Sequence, residues 1–387
     1  MNKILIRKFV SILVWVFAFC VVQQATCEEY NGNKKSVISS RYISVSEYLR
    51  LHPEERSVSV KFSKIVSGPG KPITSGQQQK KVKIAIVYPG EQVSDYWRRS
   101  LQSFECRMKE LNIDYDVSQY FTKGGGVETR IQAKLLKEAL IENPDYLVFT
   151  LDVNRHKRLV ERILAKKKPR LFLQNITTPL PEWEGNQPFY VGFDHTIGAE
   201  MLAEYFLDKF ESKGSYGLLY YSQGYVSTMR GDTFLDMLQQ RNGSRLAASF
   251  YTNGSRSKAK AATSSRLSQI ADLKFIYACA TDVALGAVDG LAEKGMTGKI
   301  LVNGWGGGDA ELAAIEAGDL DVTVMRINDD NGVAMAEAIH MDLIGKETEI
   351  PTIFSGEFVL VTQETTVEEL SNFKQKAFRY SGIPSKL

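Results

Sequence analysis

Two guanidinium groups, one carboxylate, two indoles and several neutral hydrogen-bonding side chains recur at one kind of place in this chain, just beyond an apolar, strand-like run. Gln92, Ser94 and Trp97 follow the run 84 to 88 after a Pro89-Gly90 break, and Asn175 follows Leu171 to Leu173. Thr281 and Asp282 come after a run ending at Cys279, Trp305 follows the run 300 to 303, and Arg326 closes Val322 to Met325. Arg230 lies in Gly224-Tyr225-Val226-Ser227-Thr228-Met229-Arg230. Such a set suits a small polyhydroxylated ligand. Amides and hydroxyls bond its oxygens, indoles cover its apolar faces, and guanidinium groups favour negative charge or dense oxygen acceptors. None of these residues is an activated nucleophile or half of a matched acid and base, so binding is expected rather than turnover.

Other chemistries find less support. The four histidines, His52, His156, His195 and His340, are scattered, and none has metal-ligand spacing to another His, Cys or carboxylate, so no metal or cofactor is expected. Gly304-Trp305-Gly306-Gly307-Gly308 lacks the Lys-Ser/Thr of a phosphate-binding loop and reads as tight turns around Trp305. Each candidate also has a plainer role: Ser94 or Asp282 as a helix cap, Trp97 and Trp305 as packing, Asn175 as a turn residue, Arg230 on a helix surface. Arg326 is harder to explain that way. A charge at the end of an apolar strand needs a carboxylate or a ligand nearby.

The elements that would position these residues alternate. Strand-like runs at 84 to 88, 113 to 120, 146 to 151 and 171 to 174 are separated by helical patterns, which predicts parallel strands with helical crossovers. Trp97, Leu101, Phe104, Met108 and Leu111 form one apolar helix face. A second series has strands at 189 to 193, 216 to 221, 246 to 251, 275 to 279, 300 to 303 and 321 to 325. The spacing predicts a helix over 331 to 344 stopped by Gly345, a last strand over 358 to 362 and a helix over 367 to 378. Two similar series predict two similar α/β domains. Open sheets of this kind bind ligands beyond the carboxyl ends of their strands, where the nine residues above would collect.

The 387 residues, 43% hydrophobic, suffice for two domains. A net charge of +3, with no basic block interleaved with aromatics, argues against nucleic acid as a partner. Lys3, Arg7 and Lys8 precede an apolar stretch from Phe9 to Val22, the order of a secretory signal peptide with cleavage expected after Cys27. An uncleaved anchor is the alternative; a lipidated Cys27 fits less well because Gln24 is a poor start to a lipobox. Residues 28 to 80 are polar and broken and read as an arm, with a short helix to about Leu51 capped by Ser44. No second apolar run approaches the roughly 20 residues of a membrane span. Cys106 and Cys279, the cysteines outside the leader, are expected as two buried thiols.

Several segments resemble the LuxP family of autoinducer-2-binding proteins, within the ribose-binding-protein-like periplasmic binding proteins. They are Val87 to Trp97, Leu173 to Pro179, Tyr190 to His195, Arg230 to Phe234, Thr281 to Asp289, Asn303 to Gly308 and Val324 to Arg326. The resemblance covers nearly all of the chain after about residue 42. It implies a type I periplasmic binding protein fold with two similar lobes joined by a three-strand hinge. The N-terminal lobe would take 81 to 178 and 327 to 354, and the C-terminal lobe 179 to 326 and 355 to 387, with crossings near 178, 326 and 355.

It further implies that a furanosyl borate diester is bound, its charge balanced by Arg230 and Arg326. Gln92, Ser94, Asn175, Thr281 and Asp282 would make hydrogen bonds, and Trp97 and Trp305 ring contacts. The implied partner is the periplasmic domain of a LuxQ-type hybrid sensor histidine kinase, and the implied location the periplasm. One departure stands at Ala280, where the family motif has a serine. A sugar-binding protein of an ABC transporter shares the fold and the export signal and is the nearest rival. A repressor would need a helix-turn-helix before the first strand, and an enzyme is the least favoured class.

Overall fold

The computed structural model describes residues 42–382, apart from 75, 79, 91, 123–127, 151–153, 167, 211–213 and 242–243. The expected signal peptide and its cleavage point lie outside these residues. The first sheet forms around β1 (Val82–Tyr88), in which every residue but Lys83 is buried, as expected of a central parallel strand covered on both faces. It pairs in parallel with β2 (Tyr115–Phe121) on one side and β3 (Tyr146–Phe149) on the other. The sheet continues through β4 (Arg170–Gln174) and β5 (Phe189–Phe193) to β11 (Ile353–Gly356), all parallel.

Helices α3 (Tyr96–Glu110) and α11 (Asp329–Leu343) cover one face of this sheet. Helices α4 (Thr129–Ile141) and α5 (Asn154–Leu164) cover the other. Gly345, at φ +71, follows α11 in the left-handed conformation expected for a helix stop.

The second sheet runs β12-β10-β9-β8-β6-β7, with β12 antiparallel to its neighbour and the other pairs parallel. Its strands are β6 (Ser215–Tyr220), β7 (Arg245–Tyr251), β8 (Leu273–Ala278), β9 (Leu301–Gly306), β10 (Val322–Arg326) and β12 (Phe358–Thr362). Helices α6 (His195–Lys209) and α7 (Thr233–Arg241) pack on one face. The other face carries α8 (Arg256–Ser265), α9 (Thr281–Glu293), α10 (Asp309–Glu316) and α12 (Val367–Ala377).

Three features correct the boundaries expected from sequence. First, β5 pairs with β4 and β11 rather than opening the second series. The chain therefore first crosses between lobes after Phe193, not near 178. A fully buried strand shows no sign of which sheet it belongs to. Second, the third crossing falls at Glu357, between β11 and β12, so Ser355 and Gly356 stay in the first sheet, while the second lies after Arg326.

Third, the described part of the segment read as an arm, from residue 42, carries two helices packed on the first lobe. After α1 (Val45–Leu51), capped by Ser44 whose hydroxyl accepts from the Glu47 amide at 3.1 Å, comes α2 (Glu55–Ser67). Phe62 and Val66, one turn apart, are buried in the first lobe, and the Phe62 ring meets Phe189 and Phe354 edge-on at 5.9 Å. Two buried side chains in thirteen residues leave a pattern that reads as polar.

The C-terminal segment also departs from the expected lobe division. Beyond α12, Arg379 pairs with Asp330 at 2.5 Å and donates to the Val66 carbonyl at 2.9 Å. The Tyr380 and Ser381 amides donate to Asp329 at 2.7 and 2.8 Å, and Arg107 donates to the Tyr380 hydroxyl at 2.8 Å. The chain thus returns to the first lobe after its third crossing. Cys279 is buried and Cys106 half-buried, both as free thiols. Among the described residues no helix is long and apolar enough to cross a membrane.

Candidate functional site

Between the lobes, at the carboxyl ends of the strands, lies a small cavity of about 70 Å³. All nine residues singled out from sequence line it: Gln92, Ser94, Trp97, Asn175, Arg230, Thr281, Asp282, Trp305 and Arg326. The first lobe contributes the turn between β1 and α3, where Gln92 reaches the Tyr221 hydroxyl of the other lobe at 3.4 Å. Trp97 stands in the first turn of α3, its ring 4.7 Å from both Tyr88 and Tyr96. Asn175 directly follows β4 at φ +71, a conformation asparagine tolerates better than most residues, with its backbone N–H donating to the Val191 carbonyl at 2.8 Å.

The second lobe supplies the arginines. Arg230 lies in a π-helical turn, Ser227–Asp232, a local widening often found at functional sites. It is buried, so the surface-helix alternative does not hold. Its Nη1 donates to the Cys279 carbonyl at 2.7 Å, and its guanidinium lies 4.2 Å over the Trp305 ring. Nη2 sits 3.1 Å from His195 Nε2. A guanidinium only donates, so that nitrogen accepts and the imidazole carries its proton on Nδ1. Burial first, then the Arg230 and Arg326 charges, hold His195 well below the ordinary histidine pKa.

Trp305 is fully buried, its indole N–H donating to the Tyr277 hydroxyl at 3.0 Å. Gly198 underlies the ring so closely that a Cβ there would stand 2.5 Å from Cη2. The indole is therefore both packing and cavity wall, a platform that orients Arg230. The Thr281 hydroxyl donates to the Trp305 carbonyl at 3.0 Å. Asp282 does not cap its own helix, for which the N-cap position is Ala280. Its Oδ1 accepts from the Val93 amide across the cleft at 3.2 Å, and burial raises its pKa above the usual aspartate value.

Arg326 ends β10 at the second crossing, only 4% exposed. Its guanidinium lies 4.7 Å from the Tyr96 ring centroid and 5.7 Å from that of Phe193. Among the described residues no carboxylate forms an ion pair with it, and none is a hydrogen-bond partner of its Nε. Burial lowers its pKa, opposed by Tyr96, Glu311 and Asp95, yet a guanidinium stays charged at neutral pH. Two aromatic faces hold the cation, and its donors remain available to the cavity.

The lining also includes Pro89, Tyr96, Gln132, Thr150, His156, Tyr221, Val226 and Ala280. Thr150 and Tyr221 directly follow β3 and β6, so the strand-end rule applied more widely would have found them. Gln132 and His156 come from α4 and α5, where nothing in the sequence separates them from core positions. Among the described residues no group of three or more His, Cys, Asp or Glu is placed to hold a metal ion.

Outside the cavity a second set of contacts joins the lobes. Arg99 on α3 pairs with Asp95 at 2.6 Å and, across the cleft, with Asp309 of α10 at 2.7 Å. The same guanidinium stacks 3.7 Å over Phe378. With Val93 to Asp282 and Gln92 to Tyr221, these bonds hold the two walls together.

Comparison with known proteins agrees with this architecture. Residues 84–347 match the periplasmic binding protein domain family. The fold is similar to an ABC transporter periplasmic solute-binding protein from Actinobacillus succinogenes with bound D-allose, at 20% identity and TM-score 0.64, covering 76% of this chain and 100% of that one. It is also similar to a solute-binding protein from Agrobacterium vitis bound with α-D-tagatopyranose, at 15% identity and TM-score 0.67, covering 76% and 99%. A glucose-galactose binding protein from Geobacillus stearothermophilus, at 17% identity and TM-score 0.65, covers 75% of this chain and 100% of its own. With two such lobes, an interlobe cavity and a family match over most of its length, this chain belongs to the periplasmic binding proteins, a family of extracytoplasmic ligand binders.

Proposed function

We propose that this protein is a periplasmic receptor for the quorum-sensing signal autoinducer-2, bound as its furanosyl borate diester, and that closure around the signal is read by a LuxQ-type membrane sensor kinase. The observation that carries this reading is the Arg326 guanidinium, buried between two aromatic rings with no carboxylate partner among the described residues. A buried cation needs a counter-charge, and an anionic, oxygen-rich ligand supplies one. Arg230 adds a second cation in the same cavity. The one carboxylate on the nine-residue list, Asp282, accepts an amide from the opposite lobe. The resemblance of the lining segments to autoinducer-2-binding proteins points the same way.

Protein purified from its exported form should release autoinducer-2 activity on unfolding. Stripped and refolded protein should bind the signal precursor more tightly with borate than without. Absence of the activity in the released material, together with no binding of precursor plus borate, overturns the reading. A second reading, a sugar-binding protein for an ABC transporter, is motivated by the sugars named with the similar structures. Calorimetric binding of ribose, galactose or allose, with none of the signal, would establish it instead.

A further inference from the structure

The outer face of the first lobe carries a concentration of cations that the cavity does not use. On α5 and the turn that extends it, Arg158, Arg162 and Lys166 follow one another at intervals of four, all exposed on one side of the helix. On the adjacent α4, Arg130, Lys134 and Lys137 form a parallel stripe, also exposed. Both helices bury their opposite sides in the same core, through Leu136 and Ala139 and through Val160 and Ile163, so the two stripes face the same way.

The nearby acids are mostly engaged. Glu138 pairs with Lys134 at 3.6 Å, Glu182 with Lys157 at 2.5 Å, and Glu142 binds the hydroxyls of Ser118 and Tyr120. Glu161 stands 4.0 Å from Lys157. Arg130, Lys137, Arg158, Arg162 and Lys166 have no ion pair or hydrogen bond with a described residue. Two isoleucines interrupt the face: Ile131 is 44% exposed and Ile141 82%.

We propose that this α4–α5 face is a peripheral membrane-docking surface for anionic phospholipid headgroups, with Ile131 and Ile141 entering the headgroup boundary. An acidic protein is the less suited occupant. Protein interfaces are anchored by aromatic or other large side chains seated in pockets, and no Trp, Tyr or Phe is exposed on these helices. A lipid surface needs only distributed charge and a little apolar contact. Each Lys or Arg near an anionic bilayer multiplies partitioning roughly fivefold, so the five unpaired cations suffice for reversible attachment. The proposal is independent of which ligand fills the cavity.

Cosedimentation of the full mature chain with vesicles tests it. At low salt, wild-type protein should bind vesicles containing phosphatidylglycerol and not vesicles of phosphatidylcholine alone, and moderate salt should release it. Arg158→Glu, Arg162→Glu and Lys166→Glu combined should lower partitioning at least roughly a hundredfold while leaving the circular dichroism and melting temperature unchanged. A control reversing the same charge on the other lobe, Lys258→Glu, Lys294→Glu and Lys299→Glu, should still bind. Equal binding to neutral vesicles, no binding at all, or equal loss in both triple variants overturns the proposal. So does capture of an acidic protein by this face in the absence of vesicle binding.

Discussion

Arg326 and Tyr96 come from opposite lobes and meet with the guanidinium 4.7 Å from the ring centroid, so a cation of one wall lies on an aromatic face of the other. The ring offsets part of the cost of burying the charge but accepts no hydrogen bond in the guanidinium plane. The two demands on this side chain, desolvation and ligand bonding, can therefore be separated by mutation. Arg326→Met should lower ligand affinity by about one to two orders of magnitude, the effect of losing a charge-assisted bond. The melting temperature of the unliganded protein should stay near wild type or rise. Calorimetry and thermal melts with and without ligand read the two effects apart.

Gly198→Ala addresses the platform under Arg230. The added methyl would stand 2.5 Å from the Trp305 ring, which is fully buried and hydrogen-bonded to Tyr277, so the ring cannot yield without moving its neighbours. A destabilisation of about 1–3 kcal/mol is expected from overpacking. Ligand affinity should fall as well, because Arg230 rides on the same ring. A melt and a binding titration of the one variant check both.

Acidification should act through His195. Its folded-state pKa lies well below the ordinary 6.5, so below that pH the unfolded chain gains a proton there while the folded chain does not. Stability from this group is full above pH 6.5 and declines as the pH falls, by at most about 1.4 kcal/mol per unit. Buried Asp282, Asp329 and Asp330, whose pKa values are raised, act in the opposite sense. The contribution of His195 is therefore read as a difference. His195→Gln, which can still accept from Arg230, should lose stability less steeply than wild type between about pH 6.5 and 5. Parallel slopes in urea unfolding would refute this.

Asp309 touches nothing in the cavity, yet it bridges to Arg99 on the other lobe. Its carboxylate is largely exposed, so the pair is screened and modest. Asp309→Asn should weaken ligand binding by roughly twofold to fivefold, almost all of it as faster release. Stopped-flow dissociation should show the change at low salt and lose it at high salt.

Much of the site was legible in sequence because strand ends are legible. A run such as Val322 to Met325 that closes on Arg326 announces both a buried strand and a residue placed at its carboxyl end. Lobe membership was less legible. Strand β5 looks like every other fully buried strand, and its sheet is fixed by pairing with β4 and β11, contacts without a local sequence mark. Helix α2 was missed because Phe62 and Val66 alone carry its buried face. Arg230 reads in sequence equally as a helix-surface residue, and its burial in the π-turn Ser227–Asp232 has no local sequence mark.

The C-terminal tail changes what kind of motion the cleft can have. Three crossings alone leave two bodies free to bend and to twist about their common axis. Residues 379 to 381 add a fourth attachment, made to α2, α3 and α11 of the first lobe, while α12 packs on the second through Leu370, Phe373 and Ala377. Any change in the relative position of the lobes must therefore break these bonds or carry the tail with it.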